Sequence, residues 1–128
     1  VDDDTPAVRH LADLPVERWD DETRGSATWQ TLFSSDVTGT RDLTTGVCVV
    51  PVGGELAAHR HAVTESYFFL EGTGSQRLGD EVFDVQAGSA VMIGSDTVHA
   101  TRNTGDRPLR FFYVFATGSF DDVHYAFD

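Results

Sequence analysis

Lysine is absent, cysteine occurs once, and no apolar run is long enough to cross a bilayer. Each absence excludes a class of protein. The nine basic residues are all arginine, scattered from Arg9 to Arg110 without a run, so the clustered footprint that releases counterions from a nucleic acid is missing. Nucleic acid and anionic membrane surfaces are therefore not expected partners. With Cys48 alone, no disulfide within the chain can form, and its setting in Val47-Cys48-Val49-Val50 reads as a buried thiol. No basic-then-apolar start is visible in the sequence from Val1 onward, so the expected location is cytoplasmic. The formal net charge of −12 reads as solubilising surface charge and assigns no function.

What is present is glycine, twelve residues of it, between short β-rich runs. A chain of 128 residues fits one domain. Residues 1–27 open on Asp2-Asp3-Asp4, hold Pro6, Pro15 and Gly25, and read as an arm with one short strand that packs on a barrel of residues 28–128. Strands are expected at 29–33, 46–52, 65–70, 74–78, 81–85, 90–93, 99–103 and 109–116, with a hairpin at Gly79-Asp80. No helical period is sustained, so the fold is all-β. Many short antiparallel strands hide their edges by closing into a barrel or jelly roll.

Two residues apart on a strand, side chains share a face, so His59 and His61 project together while Arg60 points away. Glu65 follows after Ala62-Val63-Thr64, and His99 arrives from a separate strand. Three imidazoles and a carboxylate suit one divalent transition metal: Fe, Mn, Ni, Co, Cu or Zn. Four protein ligands leave open positions on a six-coordinate ion, which favours iron or manganese over closed tetrahedral zinc. His10 and His124 have no partner at ligand spacing and read as surface residues.

The spacing of Gly53, His59-x-His61, Glu65 and Gly72 resembles the first motif of the cupin superfamily, and Gly88, His99 and Asn103 resemble the second. Gly94 stands where that pattern has proline and Asp96 where it has glycine, both in the turn before His99. The resemblance implies a single cupin barrel, a double-stranded β-helix or jelly roll, with metal on His59, His61, Glu65 and His99. More narrowly, His-x-His-x3-Glu-x-Tyr resembles the small cupin-type dimethylsulfoniopropionate lyases, in which a tyrosine near the metal is the proposed base.

Tyr67 lies two residues past Glu65 and is expected to point into the barrel, where an adjacent cation lowers a phenol pKa and makes it a usable base. Tyr67 and Glu65 are thus the candidate catalytic residues. Trp29 and Phe33 are candidate pocket walls, and one parity of Phe111-Phe112-Tyr113 faces the cavity. Arg41, Arg102 and Arg110 are candidate clamps for a carboxylate. The C-terminal run 119–127 alternates weakly and either adds an outer strand or covers the barrel mouth, and open edges make a homodimer plausible.

Three functions fit. The first is a metal-dependent enzyme on a small organic acid, best a lyase that performs β-elimination with Tyr67 as base. An iron-dependent dioxygenase is its enzymatic rival. A non-catalytic module that binds a small ligand is the alternative of another class.

Overall fold

Burial alternates along Leu109–Phe115: Leu109, Phe111, Tyr113 and Phe115 are buried, while Arg110, Phe112 and Val114 are half-exposed. That is the pattern of a strand with one face on a core. The computed structural model describes residues 7–117 and 123–127. In chain order its strands are β1 (Glu17–Arg18), β2 (Thr28–Phe33), β3 (Thr44–Val50), β4 (Glu55–Arg60), β5 (Glu65–Glu71), β6 (Thr73–Leu78), β7 (Glu81–Gln86), β8 (Ala90–Ile93), β9 (His99–Asn103), β10 (Leu109–Phe115) and β11 (Ala126–Phe127). One helical turn, α1 (Ser35–Thr38), joins β2 to β3.

The strands form two antiparallel sheets, ordered β1-β2-β3-β10-β5-β8 and β11-β4-β9-β6-β7. Their inner faces enclose the core expected of a jelly roll, filled at its densest by Val50, Phe69, Ile93 and Leu109, which are unexposed. The Gly79-Asp80 hairpin is present, with Leu78 opposite Glu81 across a two-residue loop. Among the described residues no helix is long and apolar enough to cross a membrane.

Beyond one-residue shifts at strand ends, the structure departs from the sequence reading at one boundary and one added strand. The strand expected at 46–52 is shifted to Thr44–Val50, because Pro51 has no N–H for a ladder and the chain turns there through Gly53 at φ 74°. β4 was not anticipated as a strand of its own, since Glu-Leu-Ala-Ala-His-Arg is poor in β-branched residues. Its pairing with β9 carries it, in register Glu55 with Arg102 and His59 with His99, across an irregularity between Leu56 and His59.

The N-terminal segment lies along β2. Gln30 donates its amide to the carbonyls of Leu11 and Leu14, both at 2.9 Å, and Arg9 donates to the carbonyls of Thr31 and Leu32. β1 then places Glu17 opposite Trp29 at the sheet margin. At the other end of the chain, β11 adds to β4, with Phe127 opposite His59.

Candidate metal centre and cavity

β4 delivers His59 as its penultimate residue, and His61 follows just beyond the strand's end. Both are 2% exposed, whereas Arg60 between them is exposed. The common direction expected from the two-residue spacing holds, although His61 lies outside the strand proper. β9 begins at His99, fully buried and directly opposite His59. One ligand atom from each of the three histidines lies within 4.8 Å of the others.

Backbone carbonyls orient all three rings. Nδ1 of His59 faces the Ala57 carbonyl at 2.7 Å, that of His61 the Val63 carbonyl at 2.8 Å, and that of His99 the Thr97 carbonyl at 2.8 Å. A carbonyl only accepts, so each Nδ1 carries a proton, and in a neutral ring Nε2 is then the atom that presents a lone pair. His99 Nε2 is buried without a hydrogen-bond partner. Burial above all, then the neighbouring His99 ring, hold the His59 pKa down at about 3, against the pull of its Ala57 hydrogen bond, so the ring is neutral at pH 7.

Glu65 opens β5, where Glu65, Tyr67 and Phe69 face inward and are buried. Its Oε1 stands 3.2 Å from His61 Nε2 and 3.4 Å from His99 Nε2. In the neutral form with Nδ1 protonated, these contacts set lone pair against lone pair. A divalent cation among them turns that repulsion into coordination, and neutral imidazole and carboxylate are suitable donors. The residues present therefore fit a metal ion.

The turn before His99 accounts for Asp96, one of the two departures noted in the sequence. Asp96 adopts φ 57°, the left-handed conformation for which glycine is the unstrained residue, and Asp is among the few others that tolerate it. Its N–H donates to the His61 carbonyl at 2.7 Å, so the turn pins the second histidine. Asn103 is a clip: its amide donates to the Val50 and Arg107 carbonyls, at 3.0 and 2.8 Å, and its oxygen accepts from Gly105 N–H.

Beside the histidines lies a cavity of about 330 Å³, at the lower end of the range for ligand pockets. His59, Glu65 and Tyr67 line it, with walls from Trp19, Trp29, Phe111, Tyr113, Phe115 and Tyr125. The parity of the β10 aromatics is thus settled: Phe111 and Tyr113 face in, Phe112 faces out. Tyr67 is 2% exposed and packs against Phe111, their rings tilted by 35° with centroids 4.1 Å apart. Burial first, and the negative charge of Glu65 second, hold its phenol proton well above the ordinary pKa of 10.0. Cys48 also reaches the cavity wall, and burial pushes its thiol pKa far up, which makes it inert.

Several sequence candidates fall elsewhere. Trp29 is a wall but Phe33 is not. None of Arg41, Arg102 and Arg110 lines the cavity; Arg102 reaches Glu55 at 3.5 Å and Arg110 reaches Glu71 at 3.9 Å. His10 and His124 are exposed, as expected.

Glu17, Trp19 and Tyr125 are cavity residues that the motif reading did not select. Tyr125 lies 5.4 Å from His61 and 5.7 Å from His59, ring to ring, and Phe127 stacks on His59 at 5.0 Å. Arg24 caps this group, its guanidinium 4.9 Å from the Trp19 ring and 4.6 Å from that of Phe127. The described part of the C-terminal run thus both adds a strand and covers the barrel mouth, while 119–122 lies outside the described residues. The available signal was its alternating aromatics, Tyr125 and Phe127.

An all-β barrel with inward histidines from two strands defines a class, and the cupin-domain family model matches residues 46–115, so the chain belongs to the cupin family. Within that family, it is 34% identical over 122 residues to the dimethylsulfoniopropionate lyase DddW of Ruegeria pomeroyi, covering 95% of this chain and 80% of the relative. Its fold is similar to that of the polyketide cyclase RemF from Streptomyces resistomycificus, with TM-score 0.81, 20% identity and coverage of 97% and 87% of the two chains. A predicted oxalate decarboxylase of Thermotoga maritima is similar at TM-score 0.75, 22% identity and coverage of 87% and 99%. At those identities the structural likeness speaks for the fold alone.

Proposed function

We propose that this protein is a metal-dependent lyase that releases dimethyl sulfide from dimethylsulfoniopropionate, or a near analogue, by β-elimination. The observation that carries the reading is a cavity that joins a histidine and carboxylate centre to a buried tyrosine in a chain 34% identical to such a lyase. His59, His61, His99 and Glu65 are the proposed ligands, and iron or manganese suits that set. Such an ion supplies a Lewis acid that binds the substrate carboxylate, acidifies the adjacent C–H and lowers the pKa of a nearby phenol.

The chain's own groups account for the remainder. No arginine lines the cavity among the described residues, which favours the histidine centre as the place for a carboxylate end. Tyr67, as phenolate, takes the α-proton. The C–H electron pair becomes the C=C bond of acrylate, and the C–S bond breaks with its electrons on sulfur, so no oxidant is needed. The aromatic walls favour a sulfonium through cation–π attraction and keep bulk water from the reacting carbons.

The test is to load the purified protein with iron or manganese, supply dimethylsulfoniopropionate, and measure dimethyl sulfide and oxygen uptake together. Oxygen-independent thioether release that falls by about a hundredfold or more in Tyr67→Phe is the expected result. Oxygen consumption in its place replaces the reading with a dioxygenase, and tight ligand binding without turnover replaces it with a binding module.

A further inference from the structure

Glu17 is the one carboxylate on the cavity wall besides Glu65, among the described residues. It is half-buried on β1, where Trp29 is its cross-strand partner. Its Oε2 accepts a hydrogen bond from the Thr31 hydroxyl at 2.6 Å. Among the described residues no cationic side chain forms an ion pair with Glu17, and Arg9 donates to the carbonyls of Thr31 and Leu32.

A carboxylate held by one hydroxyl against aromatic faces lacks a counter-charge, and in such surroundings a cation is attracted more strongly than in water. Along the sheet Glu17 sits on β1 and Glu65 on β5, so the two carboxylates belong to opposite margins of one small cavity. A ligand that fills it reaches both. One margin is an anion-ready metal centre and the other carries a negative charge backed by ring faces.

We propose that Glu17, with the faces of Trp29 and Tyr113, forms the site for the positively charged end of a zwitterionic substrate. Glu17 is then the residue that makes the cavity select carboxylates bearing a sulfonium or quaternary ammonium over uncharged ones of the same shape. The assignment rests on the lyase reading only for which end of the substrate meets the metal. The Thr31 bond is the positioning device, since it fixes which oxygen faces the wall.

A matched pair of ligands isolates the charge. 3-(Trimethylammonio)propanoate and 4,4-dimethylpentanoate have the same shape and differ by one positive charge. Their binding to the manganese-loaded protein is measured by calorimetry, and thioether release from dimethylsulfoniopropionate is assayed on the same preparations. The expected wild-type preference for the cation is about tenfold or more. Glu17→Gln, which can still accept from Thr31, is expected to lower that preference by about tenfold with affinity for the neutral ligand changed less than about twofold, and Glu17→Asp to retain most of it.

A wild-type protein that binds both ligands equally, or neither, overturns the assignment without recourse to any variant. An unchanged preference in a folded Glu17→Gln protein also overturns it, and does so even if thioether release is intact. Conversely, a preference that depends on Glu17 in a protein releasing no thioether supports the subsite and sinks the lyase reading instead.

Discussion

A neutral imidazole has one N–H and one lone pair, and a carbonyl placed against Nδ1 decides which nitrogen has which. At His59, His61 and His99 that decision is made by residues two away in sequence, Ala57, Val63 and Thr97, so each ring is oriented by its own local backbone. The histidine spacing was legible in the sequence because it is local; the tautomer was not, because it depends on the bend of the chain around each ring. Metal content measured by elemental analysis is expected to be about one ion per chain and to fall to near zero in His59→Ala and His99→Ala. Exposed His10→Ala is expected to leave it unchanged. The neutral state of His59 also makes the metal-free protein sensitive to acid. Its folded pKa of about 3 lies below the ordinary imidazole value of 6.5, so the unfolded chain takes up a proton that the folded one refuses. The associated stability is complete above about pH 6.5 and is lost as pH falls from there toward about 3, with a slope approaching about 1.4 kcal/mol per pH unit for one proton. Denaturant titrations of the metal-free protein between pH 7 and pH 5 should show the decline, and His59→Gln should flatten it.

At the scale of elements, strands that carry their own alternation were readable and strands that borrow stability from a neighbour were not. β5 and β10 announce themselves through Glu65-x-Tyr67-x-Phe69 and Phe111-x-Tyr113-x-Phe115, whereas β4 is held by its pairing with β9. Glu17, Trp19 and Tyr125 escaped for the same reason: what brings them to the cavity is β1 on β2 and β11 on β4, contacts between segments far apart in the chain. The turn at Asp96 is the clearest local device. Asp96→Gly is expected to keep or raise stability by about 0.5–1 kcal/mol, because glycine meets no steric cost at positive φ, while Asp96→Val should lower it by about 1–2 kcal/mol. Metal affinity should fall with the valine variant, since the N–H that holds His61 moves with the turn. Gly46 is constrained differently. A Cβ there would come within 2.2 Å of the Tyr113 oxygen, so Gly46→Ala should cost about 1–3 kcal/mol by thermal melting and displace that cavity wall.

For the whole molecule, the proposed metal centre spans the two sheets, since β4 and β9 lie in one and β5 in the other. An ion held by the proposed ligands is expected to brace the barrel across its interior. Manganese at about a hundred times its dissociation constant is expected to stabilise the fold by about 2.7 kcal/mol, and a chelator to reverse the gain, both read as shifts in melting temperature. The two tryptophans offer another consequence. Trp19 comes from the N-terminal segment and Trp29 from β2, and their rings lie 4.9 Å apart at 55°. Two identical chromophores so close and so inclined share their excited states, and a skewed pair of this kind produces a bisignate circular-dichroism band in the ultraviolet. Because Trp19 also meets Tyr125 and Phe127 at the barrel mouth, the sign and size of that band report the geometry of the entrance itself, without any label.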